Sequence, residues 1–187
     1  GHFLDTLEID QYPREIRHGA LVQRVGFNRF RFTYRDKGVD IDLNLPKKET
    51  YLAPYPLLYS RVKRYYFAVL HTGEGNGWDS ERPCMSSVLM FQGRIYLIDA
   101  PPGVLNSLTA LGIDISEVEG IFHTHAHDDH FAGLPDLIRT DHRIKYFATP
   151  LVRAAVTRKF SALMSLSEAT FERFFDIHDL IFDTWNK

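Results

Sequence analysis

Four groups able to hold a metal ion fall within six residues of one another in the stretch Thr124-His125-Ala126-His127-Asp128-Asp129-His130-Phe131-Ala132-Gly133-Leu134. Imidazole nitrogens and carboxylate oxygens are the ligands that zinc, manganese and iron sites use. His125 and His127 are two residues apart, so in extended or looped backbone both rings can point the same way. Asp129 and His130 follow after a bend and can face a second ion nearby. Two metals about 3.5–4 Å apart can share an activated hydroxide. The chain holds only 9 histidines, and this cluster directly follows an apolar strand pattern, Val118–Phe122. The expected ligands are therefore His125, His127, Asp129 and His130, on two divalent metal ions. Asp129 is also the candidate to orient a hydroxide or pass on its proton. His123 is expected to end the strand or support the site, and His142 and His178 to serve as surface or packing residues.

The elements that must position these residues follow an α/β order. Residues 20–45 read as a β-hairpin, with Val39, Ile41, Leu43 and Leu45 alternating with Asp40, Asp42 and Asn44, the period of a half-buried strand. Residues 46–60, with Pro46, Pro54 and Pro56, read as a connector. Tyr65–Leu70 reads as a buried strand that enters the glycine-rich loop His71-Thr72-Gly73-Glu74-Gly75-Asn76-Gly77. Two strands, Ser87–Phe91 and Arg94–Ile98, meet at Gln92-Gly93, and a helix from Gly103 to Leu111 closes at Gly112. Thr149-Pro150 opens a helix over 150–164, as an N-cap followed by proline at the first helical position. Ser165-Leu166-Ser167-Glu168 reads as a capping box for a last helix with Phe171, Phe174, Phe175, Ile181 and Phe182 on its apolar face. His178, Asp176, Asp179 and Asp183 are placed on that helix.

The cluster resembles the HxHxDH signature of the metallo-β-lactamase fold superfamily, including a preceding Thr and a trailing Gly-Leu. The resemblance implies an αβ/βα sandwich, of which this chain holds the first half. It assigns His125 and His127 to the first metal, and Asp129 and His130 to the second. Ile95-Tyr96-Leu97-Ile98-Asp99-Ala100-Pro101-Pro102-Gly103 is similar to that family's strand ending in Leu-Ile-Asp-x-Gly. The similarity implies that Asp99 orients a metal-binding histidine rather than binding metal itself. The loop at His71–Gly77, then Arg82 and Ser86-Ser87, resembles the ribonuclease Z and cyclic-nucleotide phosphodiesterase-like branch. Glycines there would let backbone N–H groups approach a phosphate.

The implied activity is metal-dependent hydrolysis of a phosphodiester by a hydroxide shared between two metals, zinc first, with manganese or iron as alternatives. A diiron protein handling dioxygen or nitric oxide and a catalytically incomplete binding module are the other readings. The substrate is a small molecule or nucleotide, and no residue is assigned to binding it. The family's later ligands have no counterpart after His130, so residues 61–187 read as the N-terminal half of the domain. Residues 1–60 read as a β extension. The missing C-terminal half is expected either as a separate chain or as a part lost by truncation; a homo-oligomer is a further expectation.

Composition narrows the class. With 187 residues, 44% hydrophobic and 25% charged, the chain is neither disordered nor collagen-like. Net charge is −2, divided as +4 over residues 1–70 and −6 over 71–187. The basic part is too weak for a dedicated nucleic-acid stripe, and the acidic part suits a cation site. The single cysteine, Cys84, excludes an intrachain disulfide and fits a reducing compartment. No apolar run approaches membrane-spanning length, and Gly1–Asp10 shows no signal-peptide pattern. The expected location is the cytoplasm, with no membrane partner.

Overall fold

A computed structural model describes residues 7–49, 53, 55, 57–79 and 81–186. The connector prolines Pro54 and Pro56 and the terminal Lys187 lie outside the described residues. The chain divides into two compact units, residues 1–52 and 53–187.

The first unit is a four-stranded antiparallel meander of β1 (Arg14–Arg17), β2 (Ala20–Gly26), β3 (Arg29–Tyr34) and β4 (Lys37–Asp42). The sequence led us to expect a hairpin over 20–45; the structure corrects this to three strands there. Asn28 (φ 51°) makes the additional turn and Arg35 (φ 54°) the next. Val22, Phe32 and Val39 are register partners on one face. On the other, Arg31 forms a bidentate pair with Asp40 at 2.6 and 2.7 Å. β4 was expected to be half-buried but is exposed along its length. It is an edge strand with a single neighbour, so its alternation marks a face on which, among the described residues, only Val22 is deeply buried.

The second unit holds a six-stranded sheet in the order β10-β9-β8-β7-β6-β5. Its strands are β5 (Phe67–Gly73), β6 (Ser86–Phe91), β7 (Arg94–Ile98), β8 (Val118–Phe122), β9 (Ile144–Ala148) and β10 (Phe175–Asp179). β5, β6 and β7 pair antiparallel; β7 through β10 pair parallel. Parallel neighbours need crossover connections. These are α1 (Val104–Ala110), then α2 (Asp128–Phe131) with a 3-10 segment Leu134–Arg139, then α3 (Pro150–Met164) with α4 (Phe171–Phe174). Thr149 caps α3 through its hydroxyl, and Pro150 fills the first helical position. Core residues of the strands, including Val88, Leu97, Ile121 and Tyr146, pack with Leu108, Leu134, Leu137, Val156 and Phe160 from the crossovers.

Two expectations are corrected here. Tyr65–Leu70 is not a buried strand: β5 starts at Phe67 and lies at the sheet edge, with Phe67 and Val69 exposed. The expected last helix does not form over its full length either. Helical structure stops at Phe174, and Phe175–Asp179 pairs with β9 as a parallel strand. The segment Phe175-Asp176-Ile177-His178-Asp179 has period 2, and the ladder to β9 outweighs the helical spacing of the phenylalanines before it. His178, Asp176 and Asp179 therefore sit on a strand. The His178 ring stacks on Phe147, 4.9 Å between centroids, and Phe147 stacks on Phe122 at 4.6 Å. Gly120 lies under this row: an added Cβ would meet Phe147 and Tyr96 at 3.0 and 3.1 Å.

Candidate metal centre

The cluster lies at the carboxyl ends of β7 and β8, the edge where open α/β sheets place ligands. Asp99 follows β7 and adopts a left-handed backbone, φ 66°, which an aspartate tolerates better than most residues. Its carboxylate is 4% exposed and accepts three hydrogen bonds. Thr124 N–H donates to Oδ1 at 2.8 Å, and the Thr124 hydroxyl to Oδ2 at 2.7 Å. The third donor is His130 Nδ1, also to Oδ2, at 2.7 Å. His125 Nδ1 lies 2.9 Å from the Thr124 hydroxyl oxygen. Because that hydroxyl's proton points to Asp99, His125 Nδ1 is the donor to it.

These bonds fix the tautomers. With Nδ1 of both His125 and His130 donating, each ring keeps a bare lone pair on Nε2. The two rings lie 3.9 Å apart between centroids, and His127 lies 4.6 Å from His125. His130 Nε2 faces Asp129 Oδ2 at 3.5 Å. Two acceptors aimed at one another are unfavourable until a cation lies between them, so this donor set fits a divalent metal. Asp99, His125 and His130 together place one ligand atom each within 4.8 Å. The oxygens of Asp99 are already engaged, which suits an orienting role better than direct ligation.

Backbone contacts hold the motif against the turn after β7. Ala100 N–H donates to His130 O at 2.8 Å, and Gly133 N–H to Ala100 O at 2.9 Å. A long-range contact that no local pattern signals comes from α3. Lys159 Nζ donates to Ala126 O at 2.7 Å and pairs with Asp128 at 2.5 Å, and it lies 4.8 Å from the Phe131 ring centroid. Asp128 is mostly exposed, so the ion pair itself contributes little; the bond to Ala126 fixes the backbone between His125 and His127. Lys159→Met is expected to weaken metal binding by about 10-fold while changing stability by no more than about 1 kcal/mol. Metal titration alongside urea unfolding checks both.

His123 is buried, and neither ring nitrogen has a partner within the described residues; the Tyr146 hydroxyl, in a ring 5.7 Å away, has none either. Burial lowers the His123 pKa from 6.5 to about 4; Asp99 opposes the shift and His130 adds to it. The unfolded chain takes up a proton near pH 6.5 and the folded chain only near 4. Stability of the metal-free protein is therefore fully present above pH 6.5 and falls by about 3 kcal/mol as pH drops to 4. Chemical unfolding across that range should show the loss, and His123→Leu should flatten it.

Neither remaining candidate histidine joins the cluster. His142 Nε2 bonds Val118 O at the opposite end of β8, and His178 bonds Asp176. Asp176 and Asp179 pair with Arg143 and Arg153. In the glycine-rich loop the chain itself fills the space beside the glycines. An added Cβ at Gly73 would collide with the carbonyl oxygens of Pro83 and Cys84, and one at Gly75 would lie 2.9 Å from Pro83 O. Arg82 clasps both arms of the loop, through Asp79 at 2.6 Å and Glu74 at 3.1 Å.

Comparison with known proteins finds similarity over parts of the chain. Residues 94–183 match the family described as "Beta-lactamase superfamily domain". That match spans just under half of the chain and falls on the mixed sheet of the second unit. Parts of the chain are also similar to ribonuclease Z proteins and to a cyclic-nucleotide phosphodiesterase. Ribonuclease Z of Clostridium kluyveri is 42% identical over 60 residues, 32% of this chain and 20% of that protein. Ribonuclease Z of Thermococcus kodakarensis is 37% identical over 60 residues, 32% and 19% of the two chains. The cAMP/cGMP-dependent 3',5'-cAMP/cGMP phosphodiesterase B of Dictyostelium discoideum is 24% identical over 140 residues, 72% of this chain and 13% of that one. The chain spans about a fifth of the length of the ribonuclease Z relatives it matches. A solved structure described as a new diphosphatase from the PhnP family is 18% identical, with a TM-score of 0.49 over 60% of this chain and 50% of that one. Among the described residues no helix is long and apolar enough to cross a membrane.

Proposed function

We propose that this chain carries the metal-binding half of a hydrolase that cleaves phosphodiesters. The observation that carries the reading is the grouping of Asp99, His125 and His130, one ligand atom of each within 4.8 Å of the others, with His130 Nε2 also 3.5 Å from the Asp129 carboxylate. His125 and His127 would hold one divalent ion, zinc, manganese or iron, and Asp129 and His130 a second. Such ions lower the pKa of a bound water and neutralise charge that develops on the transferring group. The chain's own residues do the rest. Asp99 and Thr124 lock the ring orientations, and Lys159 holds the loop between the first two histidines. Asp129, partly exposed, takes the proton of the attacking water at its carboxylate.

The similarity to a ribonuclease and to a cyclic-nucleotide phosphodiesterase supports a phosphodiester rather than a lactam substrate. Residues 1–60 form an N-terminal β extension in this reading. Metal-loaded protein assayed on bis-p-nitrophenyl phosphate and on cyclic nucleotides tests the proposal. Turnover that a chelator abolishes and zinc or manganese restores is expected. No turnover by fully metallated protein would count against hydrolysis.

A further inference from the structure

The third glycine of the loop touches the centre itself. Gly77 has φ +78°, and a Cβ added there would stand 2.5 Å from Asp129 Cβ and 3.3 Å from Asp129 Cγ. Its backbone is therefore packed directly on the stem of Asp129. Behind it, the Gly77 backbone hydrogen-bonds the Cys84 thiol, which burial and the Asp129 charge together push above the ordinary thiol pKa. Cys84 pairs with Gly75 through an isolated bridge, and Gly75 exchanges two backbone bonds of 2.8 Å with Pro83 and Met85. The Arg82 clasp closes the same loop. One built unit thus runs from β5 to the side of Asp129.

We propose that Gly77 is a positioning residue that sets where the Asp129 carboxylate stands, and through it the affinity for the second metal. The inference rests on the reading of Asp129 as a ligand. It also gives the loop glycines a purpose different from cradling phosphate: they let the loop lie flat on its own return arm and on Asp129. A carboxylate confined on one side loses less freedom when it binds a cation, and residues that hold ligands in place typically contribute 10–100-fold to metal affinity.

The test is a competitive zinc titration of Gly77→Ala against Gly93→Ala. Gly93 has the same φ of +78°, but nothing lies within 4 Å of an added Cβ, so it carries the backbone strain without the contact. Gly77→Ala is expected to weaken the second zinc by about 10–100-fold and leave the first unchanged, with Gly93→Ala binding both like the parent. Arg82→Met, a change at a half-exposed side chain, loosens the loop without adding a Cβ and is expected to weaken the same ion more mildly. It decides the matter if Gly77→Ala does not fold. Unchanged second-zinc affinity in the folded loop variants would overturn the proposal, as would an equal loss in Gly93→Ala. Asp129→Ala separates the layers. If it binds two zinc ions like the parent, the ligand reading itself fails; if it loses one while the loop variants keep both, only the positioning role fails.

Discussion

Asp99→Ala is expected to cost stability on the order of 3 kcal/mol and to weaken metal binding by about 10–100-fold. The carboxylate is almost fully buried and accepts from Thr124 N–H, the Thr124 hydroxyl and His130 Nδ1. Alanine leaves all three without a partner, and a buried donor without a partner costs about 1–3 kcal/mol. The metal effect has a separate origin. Without the acceptor at Asp99, His130 is free to put its proton on either nitrogen, and His125 loses the fixed hydroxyl that holds its own tautomer. Asp99→Asn separates the two effects. It keeps the acceptor for Thr124 N–H and much of the shape, so it should lose less stability. The amide has one oxygen where three donors converge, so the histidines remain poorly oriented and the metal loss should persist. Urea unfolding and zinc titration of both variants are the measurements. Parent-like zinc affinity in both would show that Asp99 does not orient the histidines.

The second large effect is expected at Gly133→Ala. Gly133 follows α2 and lies against the turn after β7, donating its N–H to Ala100 O. Its φ is −86°, so any residue can adopt its backbone. The obstacle is contact. A Cβ there would collide with the Pro101 carbonyl oxygen and come within 2.8 Å of Val104 Cγ1. Pro101 O is backbone and Val104 is core, so neither can swing away as a flexible side-chain tip would. The two segments must part, which breaks the bonds from Gly133 to Ala100 and from Ala100 to His130. Overpacking of this kind costs about 3 kcal/mol, at the upper end of what added methylenes do in well-packed sites. Because the displaced segment carries Asp129 and His130, zinc affinity should fall with stability. Thermal unfolding with and without zinc checks this. A variant with parent-like melting and parent-like zinc binding would refute the packing described.

The candidate ligands are close together in the sequence: His125, His127, Asp129 and His130 lie within six residues, on one strand end and one short helix, and the structure groups His125 and His130 with Asp99. Asp99 was legible through the strand pattern that precedes it. The helix over 150–164 and the turn at Gln92-Gly93 carry their own capping and turn signals, and the structure has both as expected. What was not legible depends on partners distant in sequence. Lys159 reaches Ala126 across 33 positions, and nothing near Lys159 marks it. Gly77 meets Asp129 across 52 positions, and the loop glycines suggested a phosphate cradle because their partners in 82–84 and at 129 cannot be seen locally. Phe175–Asp179 misled for the opposite reason. Its phenylalanines continue a helical spacing, while its pairing with β9 is a tertiary fact. β4 shows the same limit: its alternation marks the face correctly, but burial depends on a second layer that the strand cannot specify.

Metal content of the purified protein against His125→Ala, after equilibration with zinc and removal of loosely bound ions, tests the central claim most directly. The proposed two-metal assignment predicts two held equivalents in the parent, with loss of the first in the variant and a retained fold, since His125 lies at the sheet's rim. A parent that holds no metal, or a His125→Ala protein that binds as much as the parent, would contradict it.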